Sequence, residues 1–222
     1  KHTKLYNQKR YRLGTVYKRR IIMDHQKVFS TNIFVLDDFL TESVHTGIKK
    51  YIELIWKERT LDVKWQTTPD LHTKPAFAPF VKLILDSTKE IIKKLDYHET
   101  DIEITDMWAT VLKPGEMHMP HTHSNNFLSG VYYVYSDKAA GITFVDPRGQ
   151  ADVLVPRKKK KSNNNSNLLV YGSDPNRTII FPSWLQHWVP ENKSTKKRIS
   201  IAWNIQLKGQ VGEHHELQSA NY

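Results

Sequence analysis

From residue 101 onward the apolar residues of this chain recur at every second position, in runs of five to eleven residues separated by turn signals. That is the period of an extended chain, whose successive side chains point to opposite faces. Strands are expected over 102–112, 117–123, 127–135, 141–145, 151–155, 167–171, 177–181 and 198–207, with turns such as Lys113-Pro-Gly115 and Asp146-Pro-Arg-Gly149 between them. About eight short strands, each with one apolar face, must cover that face with a second sheet or with helices. The arrangement this favours is a double-sheet jelly roll.

Upstream, Thr31–Leu36 reads as a short strand. Thr41 then stands at the N-cap position of a helix running from Glu42 to about residue 59, with Val44, Ile48, Ile52 and Ile55 on one face. A second helix is expected from about 76 to 95, with Phe80, Leu83, Ile84, Ile91 and Ile92 on its stripe. The expected fold is therefore mainly β with α: a double-stranded β-helix backed by two or more N-terminal helices. A chain of 222 residues suits one domain at 26–210, with helical support at 38–96 and a jelly-roll core at 101–207. A basic extension at 1–25, a polar insert at 157–167 and a tail at 211–222 complete it, and no internal repeat is visible.

The chain has no cysteine. Disulfides, thiolate metal sites and a cysteine nucleophile are excluded, so any metal must be held by His, Asp or Glu. Net charge is +10, yet the first twenty residues hold eight Lys and Arg and no acid, leaving only +2 for the remainder. A second basic run, Arg157 to Lys161, interrupts the strands. Such runs fit nucleic acid or another acidic partner, and Tyr6, Tyr11 and Tyr17 interleave with the first. A solvated tail and a solvated loop are the plainer reading. No apolar run approaches a membrane span and no signal-peptide pattern opens the chain, so a cytoplasmic protein without a membrane partner is expected. The first residue is Lys, which leaves targeting open.

Chemistry concentrates in the strand region. His118, His121 and His123 fall within six residues, and His121 and His123, two apart on an extended chain, share a face. Two neutral imidazoles so placed can aim at one metal ion; a surface strand with two unrelated His is the plainer reading. His187 follows the apolar run Thr178–Phe181 and the turn at Pro182-Ser183, 66 residues after His121. Packing between Trp184 and Trp188 is its alternative explanation. Eleven residues later Arg198, Ser200 and Ala202 alternate with Ile199, Ile201 and Trp203. An inward Arg beside a Ser hydroxyl can grip a carboxylate, although an Arg at a strand start is often a solvated edge residue.

The ordered set resembles the iron(II)/2-oxoglutarate-dependent oxygenases, most closely the prolyl-hydroxylase-like branch with its small bacterial and phage members. The resemblance covers roughly residues 101–207. In that family one strand carries His-x-Asp, a following strand carries a Tyr-Tyr pair, and a distal His stands shortly before a cation. It implies that His121 and His187 are iron ligands, that Arg198 binds the far carboxylate of 2-oxoglutarate, that Tyr133 hydrogen-bonds the same carboxylate, and that Ser200 assists. The implied reaction consumes dioxygen and 2-oxoglutarate, releases succinate and carbon dioxide, and hydroxylates a C–H bond of a protein side chain, prolyl by analogy, or of a small amino-acid-like substrate.

One position departs from the pattern. The usual acidic ligand is replaced by His123, which implies a three-His site, with Asp146 as the alternative carboxylate ligand, a partner of a ligand His, or simply a turn former before Pro147. A neutral third ligand leaves the iron one unit more positive, which favours an anionic cosubstrate. Nucleic-acid demethylation fits the basic tail but lacks support at the site, because the second Arg of that branch is Asn204 here. Two further readings stand beside the hydroxylase. One is a non-catalytic jelly roll that binds nucleic acid or an acidic partner through its basic segments. The other is a three-His dioxygenase that uses no keto acid.

Overall fold

The computed structural model describes residues 23–59, 65–98, 100–137, 140–213, 215 and 217–222. The basic residues and tyrosines of the first twenty positions lie outside the described residues. Residues 31–222 form one compact unit. Residues 23–30, which belong to a separate unit, contain no helix or strand.

The chain order is β1 (Phe34–Leu36), α1 (Glu42–Lys57), β2 (Trp65–Gln66), α2 (Ala78–Lys94), β3 (Asp101–Leu112), β4 (His118–His121), β5 (Leu128–Tyr135), β6 (Ala140–Val145), β7 (Leu168–Gly172), β8 (Thr178–Pro182), β9 (His187–Val189) and β10 (Arg198–Lys208), followed by a short C-terminal strand pair. Two antiparallel sheets result. The larger runs β1-β8-β5-β10-β3-β2 and the smaller β4-β9-β6-β7. Residues of both contribute to one apolar cluster, made of Tyr133, Ile142, Phe144, Ile179, Phe181 and Leu185. This is the jelly roll, with two helices on the outer face of its larger sheet.

Period two explains how one sheet serves both layers. On β10, Ile199, Ile201, Trp203 and Ile205 are fully buried in the cluster shared with helix residues Ile48, Ile52, Phe80 and Ile84. The intervening Arg198, Ser200 and Ala202 face the opposite way and line a cavity. On β5, Tyr132 belongs to the helix side and Tyr133 to the inter-sheet side. Tyr132 packs against Phe80 at 5.0 Å, and its hydroxyl is bracketed by His45 Nδ1 at 2.5 Å and Asn176 Oδ1 at 3.0 Å.

Several expectations need correction. Residues 151–155 form no strand: a 3-10 turn covers Gly149–Asp152, and Val153, Leu154 and Val155 are exposed. Their apolar run has no free edge of β6 to join, because β6 pairs with β7 on one side and β9 on the other. Pro156, which lacks an N–H, ends the run. Thr41 sits at the N-cap with extended backbone but makes no capping bond; its hydroxyl meets Ser43 instead. Leu83 is exposed on α2, while Phe80, Ile84, Ile91 and Ile92 are buried. Strands β2 and β9, of two and three residues, went unread. No helix among the described residues is long and apolar enough to cross a membrane.

Candidate active site

His121, His123 and His187 converge although three different local reasons place them. His121 ends β4, where the pairing with β9 is irregular between His118 and His121. Pro120, which cannot donate to the ladder, lies in that irregularity. His123 lies beyond the strand rather than on it, and its backbone N–H donates to the carbonyl of Ser183 at 2.9 Å. His187 opens β9 opposite His121. The ring centroids are separated by 4.4 Å (121 to 187) and 5.2 Å (121 to 123, and 123 to 187), and one ligand nitrogen from each lies within 4.8 Å of the others.

Hydrogen bonds fix two of the tautomers. Nδ1 of His121 lies 2.7 Å from the carbonyl of Met119, and Nδ1 of His187 lies 2.8 Å from that of Leu185. A carbonyl only accepts, so each Nδ1 carries the proton and each Nε2 presents its lone pair. A backbone partner on the far nitrogen is the usual support of a metal-ligating imidazole. Burial keeps the rings of His123 and His187 neutral. Desolvation, with His121 adding to it and Asp106 opposing, lowers the His123 pKa to about 4. Desolvation likewise brings His187 to about 4, against the Leu185 hydrogen bond that favours its charged form. His187 rests on Phe181 at 4.8 Å and Phe144 at 5.9 Å rather than between Trp184 and Trp188, and Trp184 is exposed. Three converging imidazoles are a donor set that suits a divalent transition metal.

The lowered values carry a sign. Below pH 6.5 the unfolded chain protonates its histidines first, so the metal-free protein loses stability as pH falls from about 6.5 to 4. For His187, which is 3% exposed, the loss is on the order of 3 kcal/mol. Urea midpoints of wild type and His187→Gln should diverge at neutral pH and draw together toward pH 4. Parallel profiles would show that the ring is not held neutral.

A cavity of about 480 Å³ is lined by all three His and by Arg198 and Ser200. Arg198 is 3% exposed; burial lowers its pKa while Tyr133 opposes that, and its guanidinium lies 5.7 Å from the Tyr133 ring centroid. Tyr133 itself is not a wall residue. Desolvation raises its pKa to about 12, with Arg198 opposing. Asp146 is not brought to the His cluster. It accepts the backbone N–H and the guanidinium of Arg148, at 2.9 and 2.8 Å, in a local turn, and Arg148 holds its carboxyl below the usual range. Sequence reasoning missed other parts of the wall, notably Gln66, Pro69, Trp108 and Thr110. Trp108, 6.0 Å from His123, lay hidden in a long strand, and Gln66 reaches Thr110 across a pairing that no local pattern signals.

Residues 106–204 match the family described as "Putative 2OG-Fe(II) oxygenase". This segment, a little under half of the chain, is similar to the 2OG-Fe(II) oxygenases. Solved structures agree in fold. HygX from Streptomyces hygroscopicus, with nickel and 2-oxoglutarate bound, superposes with a TM-score of 0.59 at 11% identity, over 86% of this chain and 91% of its own. A Pseudomonas putida prolyl-4-hydroxylase gives 0.55 at 12% identity, over 81% and 90%. The 2-oxoglutarate-dependent epimerase SnoN from nogalamycin biosynthesis gives 0.60 at 8% identity, over 79% and 76%. A search of curated proteins gives no match. The cluster of His121, His123 and His187 is a candidate metal site.

Proposed function

We propose that this oxygenase hydroxylates a C–H bond of a protein side chain, prolyl in type, or of a small amino-acid-like molecule, with iron held by His121, His123 and His187. The observation that carries the reading is a single cavity walled by three converging His and a buried Arg. Bound iron supplies dioxygen activation coupled to decarboxylation of the keto acid, so that 2-oxoglutarate, O2 and R–H become succinate, CO2 and R–OH.

The chain's own residues do the rest. Arg198 anchors the far carboxylate through its guanidinium fork, Ser200 adds a hydroxyl on the same strand face, and Tyr133 steadies Arg198 from behind. Phe181, Ile142 and Val131 add apolar wall to the cavity and limit the water inside it. Three neutral ligands leave the metal more positive than two His and a carboxylate would, which strengthens its hold on a dianionic cosubstrate. The prolyl-4-hydroxylase likeness supports a peptidyl substrate, and HygX, which is also known with hygromycin B bound, supports a small one. The Arg157–Lys161 run, exposed in the connection between β6 and β7, would guide an acidic substrate, whereas a purely binding role leaves the built cavity unexplained.

Oxygen-dependent succinate release from 2-oxoglutarate by iron-loaded protein tests this without knowledge of the prime substrate. His187→Ala should lower it at least 100-fold, beyond the roughly 10–100-fold cost of losing only a ligand's hydrogen-bond support. Equal turnover in the variant would refute the assigned centre.

A further inference from the structure

We propose that Ser129, Ser183 and Asn204 form a buried hydrogen-bond chain that positions His123 and His187, a role that rests on the metal-centre reading above. The three side chains are 1%, 0% and 5% exposed. Ser129 Oγ lies 2.8 Å from Ser183 Oγ and 2.9 Å from Asn204 Oδ1. Their directions follow from proton counting. An amide oxygen only accepts, so the single hydroxyl proton of Ser129 goes to Asn204, and Ser183 must donate to Ser129.

Ser183 is the point at which both ligands are tied down. Its carbonyl accepts the backbone N–H of His123 at 2.9 Å, and its own N–H donates to Phe127 at 3.1 Å. The same turn continues through Leu185, whose N–H donates to Pro182 at 2.9 Å and whose carbonyl accepts Nδ1–H of His187 at 2.8 Å. A shift of this turn therefore moves the backbone of one ligand and rotates the ring of the other. Ser129 and Asn204 are register partners on β5 and β10, the two middle strands of the larger sheet. The chain fastens this turn to the two strands at the middle of the sheet. Sub-ångström placement of ligands depends on such supports.

Cobalt(II) is the probe, because its visible bands report ligand geometry independently of turnover. Wild type should bind it and His187→Ala should not. Ser129→Ala should bind about ten-fold more weakly, the lower end for a lost ligand support, with altered band positions and intensities. That variant strands both the Ser183 proton and the Asn204 oxygen. The double variant Ser129→Ala/Ser183→Ala removes the stranded donor, so it should melt roughly 5 °C above the single variant while still binding cobalt weakly. It also gives a folded sample if Ser129→Ala alone does not fold. Wild-type cobalt affinity and spectrum in either serine variant would overturn the positioning role. A double variant melting below the single one would overturn the assigned donor order, and with it the chain. Wild-type cobalt binding by His187→Ala would instead reject the metal centre on which the role depends.

Discussion

Replacing Arg198 with Met should raise the KM for 2-oxoglutarate about 100-fold and leave the protein folded. The guanidinium is 3% exposed and walls the cavity that the three His share. Two charge-assisted hydrogen bonds to a carboxylate, at about 1.5 kcal/mol each, amount to roughly a hundred-fold in affinity. Met retains most of the volume, and burial already disfavours the charge of this side chain, so stability should change little. Arg198→Lys should fall between the two, because an ammonium keeps the charge and loses the planar fork. Succinate release measured across keto-acid concentrations reads both variants. An unchanged KM in Arg198→Met would transfer the protein to the three-His dioxygenases that use no keto acid.

Gly130→Ala should cost about 3 kcal/mol, near the upper end for overpacking, and lower Tm by roughly 6–12 °C. A Cβ at position 130 would fall 2.3 Å from Cζ2 and 2.4 Å from Cε2 of Trp203. Trp203 cannot retreat: it is fully buried and meets Phe80 edge-on at 5.5 Å. The clash also lies beside Ser129 and the cavity wall, to which Gly130 contributes. Combining Gly130→Ala with Trp203→Phe should recover part of the loss, since the smaller ring vacates the contested space. Thermal melts of the four proteins form the cycle. A Gly130→Ala variant melting within 2 °C of wild type, below what even about 1 kcal/mol would produce, would show that the wall yields.

Legibility in the sequence followed the range of the cause. The alternation on β10 is local, and it separated Arg198 and Ser200 from Ile199, Ile201 and Trp203 correctly. The same rule failed at residues 151–155, where the apolar period is present and the partner edge is not. His121 and His123 were recognised as a pair for a partly mistaken reason, since His123 is held by a hydrogen bond to a distant turn and not by a shared strand face. Ser129, Ser183 and Asn204 carry no signal in the chain, because ordinary polar residues acquire meaning only when folding brings them within 3 Å. Asp146 reads from sequence as a ligand, a ligand's partner or a turn former, and its carboxyl is paired with the Arg two residues on.

The two-sidedness of β10 has a bearing on how such an enzyme can diversify. Its odd-numbered positions 199–205 hold the helices, and its even-numbered positions 198–202 furnish the pocket. Mutational drift on the even series can therefore explore new cosubstrate and substrate preferences while the odd series preserves foldability. A saturation library confined to positions 198, 200 and 202 would sample altered specificity from a population that stays mostly soluble and folded.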